Sequence, residues 1–348
     1  MKPKNKKLNI DTWFKKPDRC LVIAEVGSTH NGDLELAKKL IDAVADSGAD
    51  VVKFQTHIAE AETLPNAPSP SFFNAEPRFQ YFKRTAFTFD QWKELKKKAE
   101  SRGLVFLSSS FSIEATDMLE KLGVKLHKIP SGEITNIPYL KHMAKTRTPT
   151  IMSSGMSHWK ELDEAVEIFT KKKNPFVLLQ CTSEYPVIPE RVGLNLIEEM
   201  RKRYKIPVGL SDHSMHNYAA FGSVALGAVV VEKHITLSRD MYGSDAKHSL
   251  LPSEFKELVE GIRVIDKIMY NPRDKKTADE FGEMRRVFQK SVVTTAEIKK
   301  GQTLSEKNLG IKKPGTGIAP KHIYDIVGKK AARDLPKDYL ITWKDAKK

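Results

Sequence analysis

The chain has 348 residues, 40% apolar and 29% charged, the balance of a globular protein with a sizeable core, which excludes disorder as its main state. Its longest nearly apolar stretch, residues 221–231, falls far short of the roughly 20 residues a membrane-spanning helix needs, so no membrane partner is expected. The net charge of +14 is localised, since residues 271–348 hold nineteen Lys/Arg against ten Asp/Glu and residues 2–7 add four lysines. With no zinc finger, RNP-type strand or basic-region helix beside them, these charges read as solvated surface and no nucleic-acid partner is expected.

Residues 1–19 form a basic extension without the apolar run of a secretory signal. Two cysteines, Cys20 and Cys181, make no disulfide framework, and a cytoplasmic location is expected. From Cys20 onward, β-branched runs alternate with amphipathic stretches. The runs are CLVIAEVGS (20–28), DVVKFQTH (50–57), LVFLSSSF (104–111), KLHKIPS (125–131), PTIMSSG (149–155), FVLLQCTS (176–183), IPVGLSDHS (206–214) and AVVVEKHIT (228–236). Between the first two, apolar residues at 36, 40, 41 and 44 and a terminating Gly48 predict a helix. Strands this apolar, separated by helices, belong in a parallel sheet covered on both faces. Eight of them over residues 20–270 predict an α/β fold of the (β/α)8 TIM-barrel type. The alternative is a doubly wound open sheet, whose glycine-rich dinucleotide fingerprint the sequence lacks.

The connection 58–87 is long and carries Pro65, Pro68, Pro70 and Pro77 with Phe72, Phe73, Phe79, Tyr81 and Phe82. Such a loop either borders the active-site face of a barrel or packs on its rim. Residues 271–290 are polar and read as a linker. Residues 291–348, with short strands and turns at Gly301 and Gly315, form a small β-rich domain that needs a partner surface.

Polar residues gather at the strands' C-terminal ends: Glu25, Lys53, Gln55, Ser108 to Ser110, Lys128, Ser131, Ser153, Ser154, Thr182, Ser183, Ser211, Asp212, His213 and His234. In a parallel barrel that end binds ligands. Two lysines and many hydroxyls suit phosphate and carboxylate groups. Lys53 or Lys128 as the Schiff-base lysine of an aldolase is the competing reading. His213 and His234 end consecutive strands, where they either bind a divalent ion, Mn²⁺ before Mg²⁺ or Co²⁺, or serve as hydrogen-bonded structural residues.

The stretches IAEVGSTHNGD, GADVVKFQTH, KIPSGEITN, SSGM, QCTSEYP, VGLSDHS, VEKHIT and GSDAKHSL run in order through the barrel and resemble the sialic acid (N-acetylneuraminate) synthase family. The tail SVVTTAEIKKGQTLSEKNLGIKKPGTGIAP resembles that family's SAF (antifreeze-like) domain. The resemblance implies an enzyme that condenses phosphoenolpyruvate with an N-acetylated hexosamine, N-acetylmannosamine or a close relative, to give a sialic acid and phosphate. Other nonulosonates, legionaminic or pseudaminic acid, are the alternative products, and a non-catalytic barrel that binds an anionic sugar is the alternative function. It implies that Lys53, Ser109, Lys128, Ser131, Ser153, Ser183 and Ser211 hold phosphoenolpyruvate, that His213 and His234 bind the metal, and that Glu25, Gln55, Tyr185, Asp245 and Lys313 face the sugar. Glu25, Lys53, Lys128, His213 and His234 are the catalytic candidates. A domain-swapped homodimer is implied as well. The sequence departs from the family pattern at Ser110, Ser244 and Lys313; a lysine in place of arginine at 313 cannot make a planar two-pronged contact.

Overall fold

The computed structural model describes residues 8–69 and 76–347; the lysines of residues 2–7 and Pro70, Phe72 and Phe73 of the aromatic loop lie outside them. Eight parallel strands close into a barrel: β1 (Leu21–Gly27), β2 (Val51–Thr56), β3 (Val105–Ser110), β4 (His127–Ile129), β5 (Thr150–Ser153), β6 (Phe176–Cys181), β7 (Val208–Asp212) and β8 (Val230–His234), with β8 paired to β1. This is the fold the strand pattern predicts.

Side chains alternate between the two faces of each strand. Leu21, Ile23, Val51, Leu107, Leu126, Ile151, Val177, Leu179 and Val230 fill the lower barrel interior as one buried cluster. Their neighbours of opposite parity, such as Val22, Val52, Phe54 and Val231, pack outward against the helices. Two residues further along each strand the inward set turns polar: Glu25, Lys53, Ser109, Lys128, Ser153, Cys181, Ser211 and Glu232. One parity thus builds an apolar plug below and a chemical layer above it.

The lower end of the barrel is covered by the helix Ile10–Lys15, which packs Ile10 and Trp13 into the interior cluster. Trp13 Nε1–H donates to the Arg19 carbonyl at 2.9 Å. From residue 8 the basic extension therefore belongs to the barrel unit, because burying each large apolar side chain gains about 1.5–3 kcal/mol.

A second compact unit begins at Pro272. The stretch read as a linker is helical over Lys275–Phe281 and Gly282–Phe288. Strands β9 (Ser291–Thr294) and β10 (Leu309–Lys312) pair antiparallel, as do β11 (Lys330–Ala331) and β12 (Ala346–Lys347). Val292, Ile298, Leu304, Ile326, Leu335 and Ile341 form its core. Among the described residues no helix is long and apolar enough to cross a membrane.

Candidate active site

At the C-terminal mouth of the barrel the two lysines share one carboxylate. Lys53 Nζ lies 2.9 Å from Glu232 Oε1, and Lys128 Nζ lies 3.2 Å from the same oxygen. All three side chains are buried. Burial alone would raise the Glu232 carboxyl, but Lys128 and Lys53 overturn it and hold the group down at about 2. Burial would lower the Lys53 amine, and Glu232 and Glu25 together raise it instead. At Lys128 burial prevails over Glu232 and the amine is lowered. Two buried ammonium groups, balanced by Glu232 and in part by Glu25, offer N–H donors and fixed charge that suit a bound anion.

Hydroxyls surround this pair. Lys128 Nζ donates to Ser153 Oγ, Ser211 Oγ donates to Glu232 Oε1 at 3.2 Å, and Ser109 sits opposite Lys128 across β3 and β4. Ser131 and Ser183 converge on Gly155. A Cβ there would lie 2.3 Å from Ser183 Oγ and 2.7 Å from Ser131 Oγ, so only glycine admits both hydroxyls. Its amide donates to Ser131 Oγ at 3.1 Å. The seven residues assigned to phosphoenolpyruvate therefore line one mouth.

The His213 and His234 rings lie 5.6 Å apart, centroid to centroid. His213 donates Nδ1–H to the Thr182 carbonyl at 2.8 Å, which leaves Nε2 as the lone-pair nitrogen. Among the described residues His234 Nδ1 is buried without a hydrogen-bond partner. Burial pushes the His213 imidazole down to about 3, with His234 adding to it, and burial lowers His234 as well. Two neutral imidazoles, one with an orphaned nitrogen, fit a divalent ion. Among the described residues no cluster of three or more His, Cys, Asp or Glu forms a metal cage, so the remaining positions would fall to oxygens of water or substrate.

Glu25 lies between Lys53 and Gln55. Its Oε1 accepts from Gln55 Nε2 at 2.8 Å and its Oε2 lies 3.3 Å from Lys53 Nζ. Burial pushes its carboxyl up to about 7 against the pull of Lys53. Tyr185 stacks on His213 with centroids 4.1 Å apart. Asp245 accepts from the Ser28 amide and hydroxyl at 3.3 Å each. A Cβ on Gly27 would meet Asp245 Oδ2 at 2.4 Å, so glycine at its positive φ lets this carboxylate close on the barrel beside His234. Lys313 belongs to the second unit, where its Nζ stands 4.9 Å over the Phe288 ring.

Sequence reasoning missed Glu232 and Cys181. Both lie on the inward parity, Glu232 two residues before His234, and that spacing is the signal that finds them. It also missed His57, which contacts Gln55.

Residues 40–274 match the NeuB family, and residues 289–347 match the SAF domain. The chain is 40% identical to the N,N'-diacetyllegionaminic acid synthase of Campylobacter jejuni, over 93% of this chain and 99% of that one. It is 36% identical to the human N-acetylneuraminate-9-phosphate synthase, over 94% of this chain and 93% of that one. The crystal structure of the N-acetylneuraminic acid synthetase of Leptospira borgpetersenii superposes with a TM-score of 0.68 at 32% identity, covering 76% of this chain and 91% of that one. On these matches, and with a closed barrel and polar mouth of this kind, the chain belongs to the NeuB family of nonulosonate synthases and carries a C-terminal SAF domain.

Proposed function

We propose that the chain condenses phosphoenolpyruvate with an N-acetylated hexosamine to give a nine-carbon acid and phosphate. The observation that carries this reading is the Lys53–Glu232–Lys128 cluster, ringed by hydroxyls and adjoining two neutral imidazoles. As acceptor we favour a 2,4-diacetamido-2,4,6-trideoxyhexose of the legionaminate type, supported by the 40% identity to the C. jejuni relative. N-acetylmannosamine, the first acceptor the sequence suggests, is the second reading and is supported by the likeness to the Leptospira structure.

In this mechanism Lys53 and Lys128 bind the phosphate and carboxylate of phosphoenolpyruvate, and the serine hydroxyls donate to the remaining oxygens. C3 of the enol bonds to the C1 aldehyde carbon of the open-chain sugar, whose oxygen takes up a proton and becomes a hydroxyl. C2, now electron-poor, takes the oxygen of water. Glu25, its carboxyl near neutrality, accepts a proton from that water. The bond from C2 to the phosphate oxygen then breaks, the new hydroxyl becomes the ketone, and phosphate leaves with its bridging oxygen. A divalent ion at His213 and His234, manganese before magnesium or cobalt, would supply Lewis acidity to the aldehyde oxygen. Positioning and fixed charge supply the rest.

A domain-swapped homodimer goes with this reading, supported by the exposed Phe281, Met284, Val287 and Phe288 of the small unit. Lys313 would then meet the sugar as a point charge. Phosphate release from phosphoenolpyruvate with Mn²⁺, offering the two sugars separately with an EDTA control, tests the proposal. Release that needs one sugar and stops with EDTA supports it, and release with neither sugar from folded, metal-loaded protein overturns it.

A further inference from the structure

His57 follows β2 and lies flat between two phenyl rings, its centroid 3.7 Å from that of Phe82 and 4.2 Å from that of Phe111. The three rings come from the end of β2, from the helix Arg78–Thr85 in the long aromatic connection, and from the residue after β3. Stacking alone would be served by a third phenyl ring. A histidine instead sets a polar atom at each edge of the stack. Nδ1 faces Glu62 Oε1 at 2.6 Å, and Nε2 faces Gln55 Oε1 at 3.2 Å. Glu62 has a side chain only 4% exposed, and among the described residues its other oxygen has no hydrogen-bond partner, so a buried carboxylate is held to face this ring.

The far end of the chain of contacts is the chemical layer. Gln55 Nε2 donates one proton to Glu25 Oε1 at 2.8 Å. Its carbonyl oxygen is therefore the atom left to accept His57 Nε2–H; with the Glu62 carboxylate accepting from Nδ1, the His57 ring carries a proton on both nitrogens, and the second Gln55 amide proton remains for a ligand. An amide free to rotate would present a donor in one orientation and an acceptor in the other. With both ends engaged, Gln55 presents a donor only. We infer that His57, held by Glu62 and clamped by Phe82 and Phe111, is a positioning residue that locks the Gln55 amide as a hydrogen-bond donor to an oxygen of the sugar acceptor. Phe82 of the loop then has a task in acceptor recognition although its ring need not touch the sugar. This inference rests on the function proposed above.

The test is steady-state phosphate release by the full chain with Mn²⁺, varying each substrate in turn, for wild type, His57→Phe, the pair His57→Phe with Glu62→Leu, Gln55→Ala, and His57→Phe in the Gln55→Ala background. His57→Phe keeps the stack, and the paired change avoids stranding the Glu62 carboxylate. The expected result is a KM for the acceptor raised by about tenfold or more with the KM for phosphoenolpyruvate unchanged, the pattern of lost binding to one substrate. In the Gln55→Ala background the His57 change should add less than about twofold, because the residue through which it acts is gone. An unchanged acceptor KM in the folded variants, an equal rise for both substrates, or effects of His57 and Gln55 that multiply would each overturn the inference while leaving the reaction intact. A wild-type chain that releases phosphate with neither sugar would overturn the proposed function and this role with it.

Discussion

Lys53 Nζ and Glu232 Oε1 stand 2.9 Å apart, with both side chains almost wholly buried. With Lys128 on the same oxygen, the carboxylate keeps two ammonium groups in place before any anion arrives. Removing one member of a buried pair costs about 3–5 kcal/mol, because the partner is left uncompensated. Glu232→Gln should therefore lower the melting temperature, and phosphoenolpyruvate should restore more of it than it adds to wild type, since the substrate's charge replaces the lost one. Equal ligand-induced shifts in both proteins, measured by calorimetry, would contradict this role.

The lysines are predicted to act as fixed charges, not as nucleophiles. Lys53→Met and Lys128→Met should each lose about 10²–10³ in kcat/KM, the scale of a missing electrostatic contact to a reacting group. Borohydride added with pyruvate or phosphoenolpyruvate should leave the intact mass unchanged. A mass increase confined to Lys53 or Lys128 would mean a Schiff base and restore the aldolase reading.

The two imidazoles are braced from outside the barrel. Lys233 Nζ donates to Asp212 Oδ2 and to the Ser214 carbonyl, each at 2.6 Å, and Asp212 Oδ1 accepts the Ser214 amide at 2.8 Å. The residues flanking His213 are thereby tied to the residue before His234. Lys233→Met with Asp212→Asn, which leaves no stranded charge, should weaken Mn²⁺ binding by about 10–100-fold, as loss of outer support does at metal sites. Manganese titration followed by electron paramagnetic resonance reads this directly. Unchanged affinity in the folded variant would refute the bracing.

Much of this site is legible because strand parity is a sequence property. Glu25, Lys53, Lys128, Ser211 and His234 all stand where a period of two, read from the apolar residues before them, puts them inside. The same rule reaches Glu232, which an eye trained on apolar strands passes over as one more core position. His57 is different. Its meaning depends on Phe82 and Phe111, which lie far from it in the chain and meet it only once the barrel has closed. The helix Ile10–Lys15 was hidden by the lysines of the extension around it, although Ile10 and Trp13 fall at helical spacing.

His30 supplies a stability prediction with a definite sign. It stacks on Phe87 with centroids 4.5 Å apart, accepts the Gly32 amide at Nδ1, and is pushed down to about 3 by burial, with His57 adding to it. The unfolded chain takes up this proton near pH 6.5 and the folded chain does so only near pH 3, so stability is full above pH 6.5 and falls as the pH drops through that window. Between pH 7 and pH 5 the group should cost about 2 kcal/mol. In urea titrations at the two pH values, His30→Gln should lose less on acidification than wild type. Equal losses would show that His30 is not the linked group.

The most direct measurement of the central claim uses phosphoenolpyruvate labelled with ¹⁸O at the oxygen between C2 and phosphorus, with Mn²⁺ and the diacetamido sugar. Mass spectrometry of the products then locates the label. The account predicts labelled inorganic phosphate, formed only when the sugar is present, together with an unlabelled nine-carbon acid. Unlabelled phosphate, with the ¹⁸O retained on C2 of the organic product, would mean that the P–O bond breaks and would contradict it.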